Sequence, residues 1–164
     1  MKNLLFKIIM AILIVGSLWL INILSVNKPA STDQNQSQPI SATETLYDFG
    51  KISMQDGKVK HQYIIKNSAA EPITITKLHT SCMCTTAIIK VDDKQVGPFG
   101  MEGHGGTVPK IDFTIAPGKE GYVEAEFDPA AHGSAGIGNI ERSVIIESHG
   151  HAKLELKFKA EVRP

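Results

Sequence analysis

Ser81-Cys82-Met83-Cys84-Thr85 carries the only two cysteines of the chain. Three kinds of chemistry suit a pair at this spacing. Free thiols can pack as small apolar residues, although a thiol facing an oxidising exterior is at risk. A disulfide is the second. Residues two apart on an extended strand share a face with Cα atoms about 6.6 Å apart. That is close to the upper limit of roughly 6.8 Å for a bridge, so the bond would need a kink and would be of the reducible kind. The third is metal. Two thiolates on one side of a bend can hold a soft ion, Cu(I) or Zn(II), with further ligands from elsewhere, because a structural zinc site takes about four.

Candidates for those ligands are His79, three residues before Cys82, and Met101 and His104. The last two stand among the glycines of a 97–110 insert, GPFGMEGHGGTVPK. The metal reading therefore names Cys82, Cys84, His79, Met101 and His104. Strand alternation would turn Met83 away from its neighbours. The plainer reading of the insert is a solvated surface loop, and its composition favours that. His132, ahead of a Gly-rich run to Gly138, reads as part of a long turn. His149 and His151 flank Gly150 in a hairpin-like turn and read as solvated. His61, on the apolar face of its run, reads as a satisfied, partly buried histidine.

Catalytic signatures are missing. The chain has no G-x-S-x-G, no H-E-x-x-H and no phosphate loop. A Cys–His nucleophile using Cys82 or Cys84 with His79 or His104 lacks an evident orienting third group. A thioredoxin-like dithiol would want C-x-x-C on a βαβ pattern, which is absent. The chain is not expected to be an enzyme.

The segments on either side of the pair read as strands. Val59, His61, Tyr63 and Ile65 alternate with Lys60, Gln62, Ile64 and Lys66. Val123, Ala125 and Phe127 alternate with Glu124 and Glu126. Ile73 and Ile75 alternate with threonines, and Val144, Ile146 and Ser148 follow the same period. The clearest run places Leu154, Leu156, Phe158, Ala160 and Val162 against Lys153, Glu155, Lys157, Lys159 and Glu161. Turn signals separate the runs, and no segment of the domain keeps a helical period. About seven short strands with one apolar face each predict an all-β, immunoglobulin-like sandwich over residues 44–164. The inter-sheet disulfide common in such folds cannot form, because both cysteines lie in one segment.

Ahead of the domain, residues 8–26 (IIMAILIVGSLWLINILSV) carry no formal charge and follow Lys2 and Lys7. A bilayer needs about 20 apolar residues as a helix. No A-x-A-like cleavage site follows. Residues 1–26 therefore read as an uncleaved signal anchor, one transmembrane helix with its lysines in the cytoplasm. A cleaved signal peptide leaves the same expectation of export. Residues 27–43, NKPASTDQNQSQPISAT, read as a flexible linker, too polar to offset their ordering entropy. Beyond the anchor, 15 basic residues face 17 acidic ones, a net charge of −2. Nucleic acid, which asks for clustered basic residues, is excluded as a partner.

The order Tyr47-Asp48-Phe49-Gly50, Ile65-Lys66-Asn67, Ser81-Cys82-Met83-Cys84-Thr85, Pro117-Gly118 and Phe127-Asp128-Pro129 resembles the bacterial family called domain of unknown function 1573. The SCxCT element is its most specific part. The resemblance implies an exported immunoglobulin-like sandwich, similar in architecture to PapD-like and major-sperm-protein domains. Met83 stands where the family usually has Gly. Either that position needs no positive φ, or the turn differs here. The expected role is a membrane-tethered, extracytoplasmic binding or assembly module of the cell envelope, with another envelope protein as partner. The alternative is a soft-metal (copper) or redox-active thiol protein centred on Cys82 and Cys84.

Overall fold

The alternating runs become strands on the faces their patterns predict. A computed structural model describes residues 39–103 and 109–164. The 8–26 run, most of the linker and His104 lie outside the described residues. Among the described residues there are ten strands and two short 3-10 turns, and no helix is long and apolar enough to cross a membrane. The strands are β1 (Ile40–Ala42), β2 (Leu46–Ser53), β3 (Val59–Asn67), β4 (Ile73–Thr80), β5 (Thr85–Val91), β6 (Lys94–Phe99), β7 (Phe113–Ile115), β8 (Glu120–Phe127), β9 (Gly138–Ser148) and β10 (Leu154–Arg163). The count exceeds about seven because β1 and β7 are three residues long, and β6 contains Gly97-Pro98. Such segments are too short or too broken to show alternation.

Two five-stranded sheets form, ordered β1-β3-β8-β5-β6 and β2-β10-β9-β4-β7. Neighbours are antiparallel except β2 and β10, which run parallel. Ile40–Ala42, at the end of the stretch read as linker, pairs with Ile65–Asn67. The sheet thus begins ahead of the expected boundary at residue 44. The start of the 97–110 insert is also structural, since Gly97–Phe99 completes β6 and Phe99 packs against the core.

Between the sheets lie Tyr63, Ile65, Ile89 and Val123 from one side and Ile75, Leu78, Val144, Ile146, Leu156 and Phe158 from the other, each 0–1% exposed. Burial of this apolar surface is the main force holding the sheets together. Strand β4 changes phase midway. Ile73 and Ile75 point inward, then Leu78 and Thr80, because the register with β9 shifts between Ile75 and Lys77. That bulge sets the direction in which the chain leaves β4 toward the cysteines.

Candidate functional site

The cysteines occupy the turn between β4 and β5, at the rim of the sandwich. Both sheets grip this turn. Ser81 N donates to Ser143 O on β9 at 2.9 Å, and Ser143 N donates to Ser81 Oγ at 2.8 Å. On the other sheet, Thr85 pairs with Phe127, and Asp128 N donates to Cys84 O at 2.8 Å. The Thr80 hydroxyl lies 2.9 Å from Cys82 O and 3.0 Å from Thr85 O, closing the turn from beneath. Thr85 N donates to Cys82 O at 3.1 Å. Every residue of the motif except Met83 is therefore held by a hydrogen bond.

This bend supplies the kink a bridge requires. The Cα atoms of Cys82 and Cys84 lie 5.2 Å apart, and a disulfide joins the two residues. Of the three chemistries open in the sequence, the structure holds the second. Cys84 N also donates to Cys82 Sγ at 3.3 Å. Met83 is 54% exposed and does not have positive φ; Asp92 is the only described non-glycine residue that does. A side chain is therefore tolerated between the cysteines without backbone strain.

Two basic side chains meet the sulfurs, one on each. His132 Nε2 lies 3.2 Å from Cys82 Sγ. Arg142 Nε donates to Cys84 Sγ at 3.4 Å, while its Nη1 donates to Glu141 O at 2.8 Å. The Thr85 hydroxyl is 3.8 Å from Cys84 Sγ. Cys82, Cys84 and His132 place their ligand atoms within 4.8 Å of one another.

The other sequence candidates are placed differently. His79 Nε2 is bonded to Glu147 Oε1 at 3.2 Å, and the Glu147 carboxyl is held below its ordinary range first by Lys153 and then by His79. His79 is thus committed to an ion-pair cluster on the outer face of the second sheet. Met101 forms an isolated bridge with Thr80, so its backbone borders the turn. His104 lies outside the described residues. The sequence presents His132 only as part of a turn and gives Arg142 no distinguishing mark. A signal existed for His132. Phe127-Asp128-Pro129 ends β8 beside Thr85, so the loop after it must run past the residues before Thr85. That inference needs the β5–β8 pairing, which periodicity does not provide.

The remaining motifs serve the fold. Asp48 Oδ1 accepts from Gly50 N at 2.8 Å, and Gly50 has φ +67°, which favours glycine. Tyr47 stacks on His61 with ring centroids 3.6 Å apart, and His61 Nε2 bonds Glu44 Oε1 at 2.8 Å. His61 is the satisfied histidine its position suggests. Asn67 is fully buried and bonds Glu71 O, Ile115 O and Ala69 N, while Gly118 N donates to Asn67 O. Asp128 Oδ1 accepts from Ala130 N at 2.9 Å and turns the chain toward His132.

These features define an all-β, immunoglobulin-like sandwich with a disulfide-closed rim turn. Residues 40–99 match the family described as Protein of unknown function (DUF1573), so the resemblance carried by YDFG, IKN and SCMCT holds over that part of the chain. No curated protein matches the chain. Among solved structures, a protein of unknown function from Porphyromonas gingivalis W83 superposes with a TM-score of 0.53 at 19% identity, covering 74% of this chain and 46% of that one. The chain thus spans about half the length of that structure, and the likeness is one of fold. The PapD-like domain 7 of human CEP192 gives a TM-score of 0.48 at 11% identity, over 77% of this chain and 86% of that one. The periplasmic chaperone SfaE gives 0.42 at 8% identity, over 76% and 58%. These two scores carry nothing further.

Proposed function

We propose that the chain is an extracytoplasmic binding or assembly module of the cell envelope, tethered by residues 8–26. One observation carries this reading. YDFG, IKN, PG and FDP are all absorbed in building the sandwich, whereas Met83, inside the most specific motif, is 54% exposed at the rim. A large apolar side chain held out on a hydrogen-bonded turn contributes nothing to the core and is open to contact with a partner. In vivo photo-crosslinking tests the proposal. A crosslinker in place of Met83 should give a discrete adduct, and one in place of Glu71, on another exposed loop, should not. Equal yields or none at Met83 would overturn it. Protease added to intact spheroplasts should remove the domain; protection until lysis would overturn the topology.

A second reading is favoured by the Cys82/Cys84/His132 cluster. After reduction, two thiolates and an imidazole within 4.8 Å could take one soft ion, Cu(I) or Zn(II). The reduced full chain should then hold Cu(I) against a competing chelator, and His132→Ala should weaken its hold. An unchanged metal content in His132→Ala would remove the imidazole from this reading.

A further inference from the structure

A bridge between residues two apart does little as a staple. Cross-links stabilise chiefly by closing long loops in the unfolded chain, and this one encloses a single intervening residue. The turn is already held by Ser81, Thr80, Thr85 and Asp128 through the bonds described above. The disulfide is therefore poorly explained as a structural device. Its surroundings are also asymmetric. Cys84 is 4% exposed and receives the Arg142 guanidinium and, more distantly, the Thr85 hydroxyl. Cys82 is 8% exposed and faces His132, which stands on an exposed loop.

We propose that this disulfide exchanges with the cysteines of a dithiol partner protein in a fixed direction, with Cys82 attacked and Cys84 leaving. Thiol–disulfide exchange is fastest when the attacked sulfur is accessible and the leaving sulfur is a stabilised thiolate. A guanidinium beside Cys84 favours the thiolate there. His132 Nε2, beside Cys82, is placed to take the proton of the incoming thiol. The partner's thiolate forms a new S–S bond to Cys82 Sγ. The Cys82–Cys84 bond breaks, and its electron pair stays on Cys84 Sγ beside Arg142. The partner's second thiol then attacks the partner sulfur of the mixed disulfide and releases Cys82. Two electrons and two protons pass from the partner to the pair. The partner gains a disulfide, and Cys82 and Cys84 become thiols. Met83, exposed between the two sulfurs, lies where the partner must approach. This activity adds to the binding role proposed above and is tested without it.

The test uses the full chain in detergent with two probes, glutathione to trap the mixed disulfide and dithiothreitol to complete reduction. Fragmentation of the adducted peptide should place glutathione on Cys82, and dithiothreitol should reduce the folded protein without denaturant. Arg142→Gln should slow reduction roughly three- to tenfold, since exchange rates depend on the leaving thiol. Arg142→Lys should recover part of that rate, and His132→Gln should slow adduct formation. Glutathione on Cys84, a bridge that resists dithiothreitol until the protein is unfolded, or rates indifferent to Arg142 and His132 would each overturn the proposal. The adduct position is read on the unaltered chain, so a variant that fails to fold does not leave the question open.

Discussion

The hydroxyl of Tyr63, on β3 of one sheet, donates at 2.6 Å to the carbonyl of Lys157, on β10 of the other. This bond crosses the core between the sheets. Tyr63 is fully buried, and burial raises the pKa of its phenol, so the donor stays protonated. Tyr63→Phe keeps the ring and leaves Lys157 O without that donor. It should cost about 1–3 kcal/mol, read from denaturant midpoints. An unchanged midpoint would show that the bond is not a net tie between the sheets.

Asn67 joins three segments, the end of β3, the turn through Glu71 and the end of β7 at Ile115. Removing its amide strands buried backbone groups, each costing about 1–3 kcal/mol. Asn67→Ala should therefore be among the most damaging single changes. Asn67→Asp should also destabilise, because it keeps the acceptor for Ala69 N but replaces a double donor with a buried charge. Wild-type stability in Asn67→Asp would mean the amide's two donations matter little.

Leu156 and Lys157 are neighbours on β10 with opposite fates. Leu156 is fully buried; the Lys157 side chain is 40% exposed, beside Glu141 and Glu155. Leu156→Ala should cost about 2–5 kcal/mol, and Lys157→Ala less than about 1 kcal/mol. Equal losses in urea melts would mean the strand face is misassigned.

Glu124 and Glu126 form a charged row on the outer face of the first sheet. Glu124 is held below its ordinary pKa by Gln62 and then Lys60, and Glu126 by Lys58 and then Lys60. A lowered folded-state pKa means the unfolded chain binds more protons through this range. The stability these groups contribute is therefore present above about 4.3, the ordinary glutamate value, and fades as pH falls below it. The double variant Glu124→Gln, Glu126→Gln should be less stable than the native chain at pH 7 and similar to it near pH 3. A gap that stays constant across thermal melts at both pH values would contradict this account.

The buried side of β3, β8 and β10 was legible in the residues alone. The alternation in β3, β8 and β10 comes from the two-residue period of the extended backbone, and burying one face leaves a single solution. The cysteine spacing limited the chemistry to a few options on the same local grounds. Everything that rests on pairing between distant segments was set by the folded chain. Periodicity is silent about which strand lies beside which, so nothing local could bring His132 to Cys82 across 50 residues or Arg142 to Cys84 across 58. The nearby candidate, His79, was drawn instead to Glu147, because a bulge in β4 and the pairing of β4 with β9 put those two side chains together. Short edge strands such as β1 and β7 were invisible for a related reason. Three residues carry too little period to register, and they are held by neighbours that only the folded chain supplies.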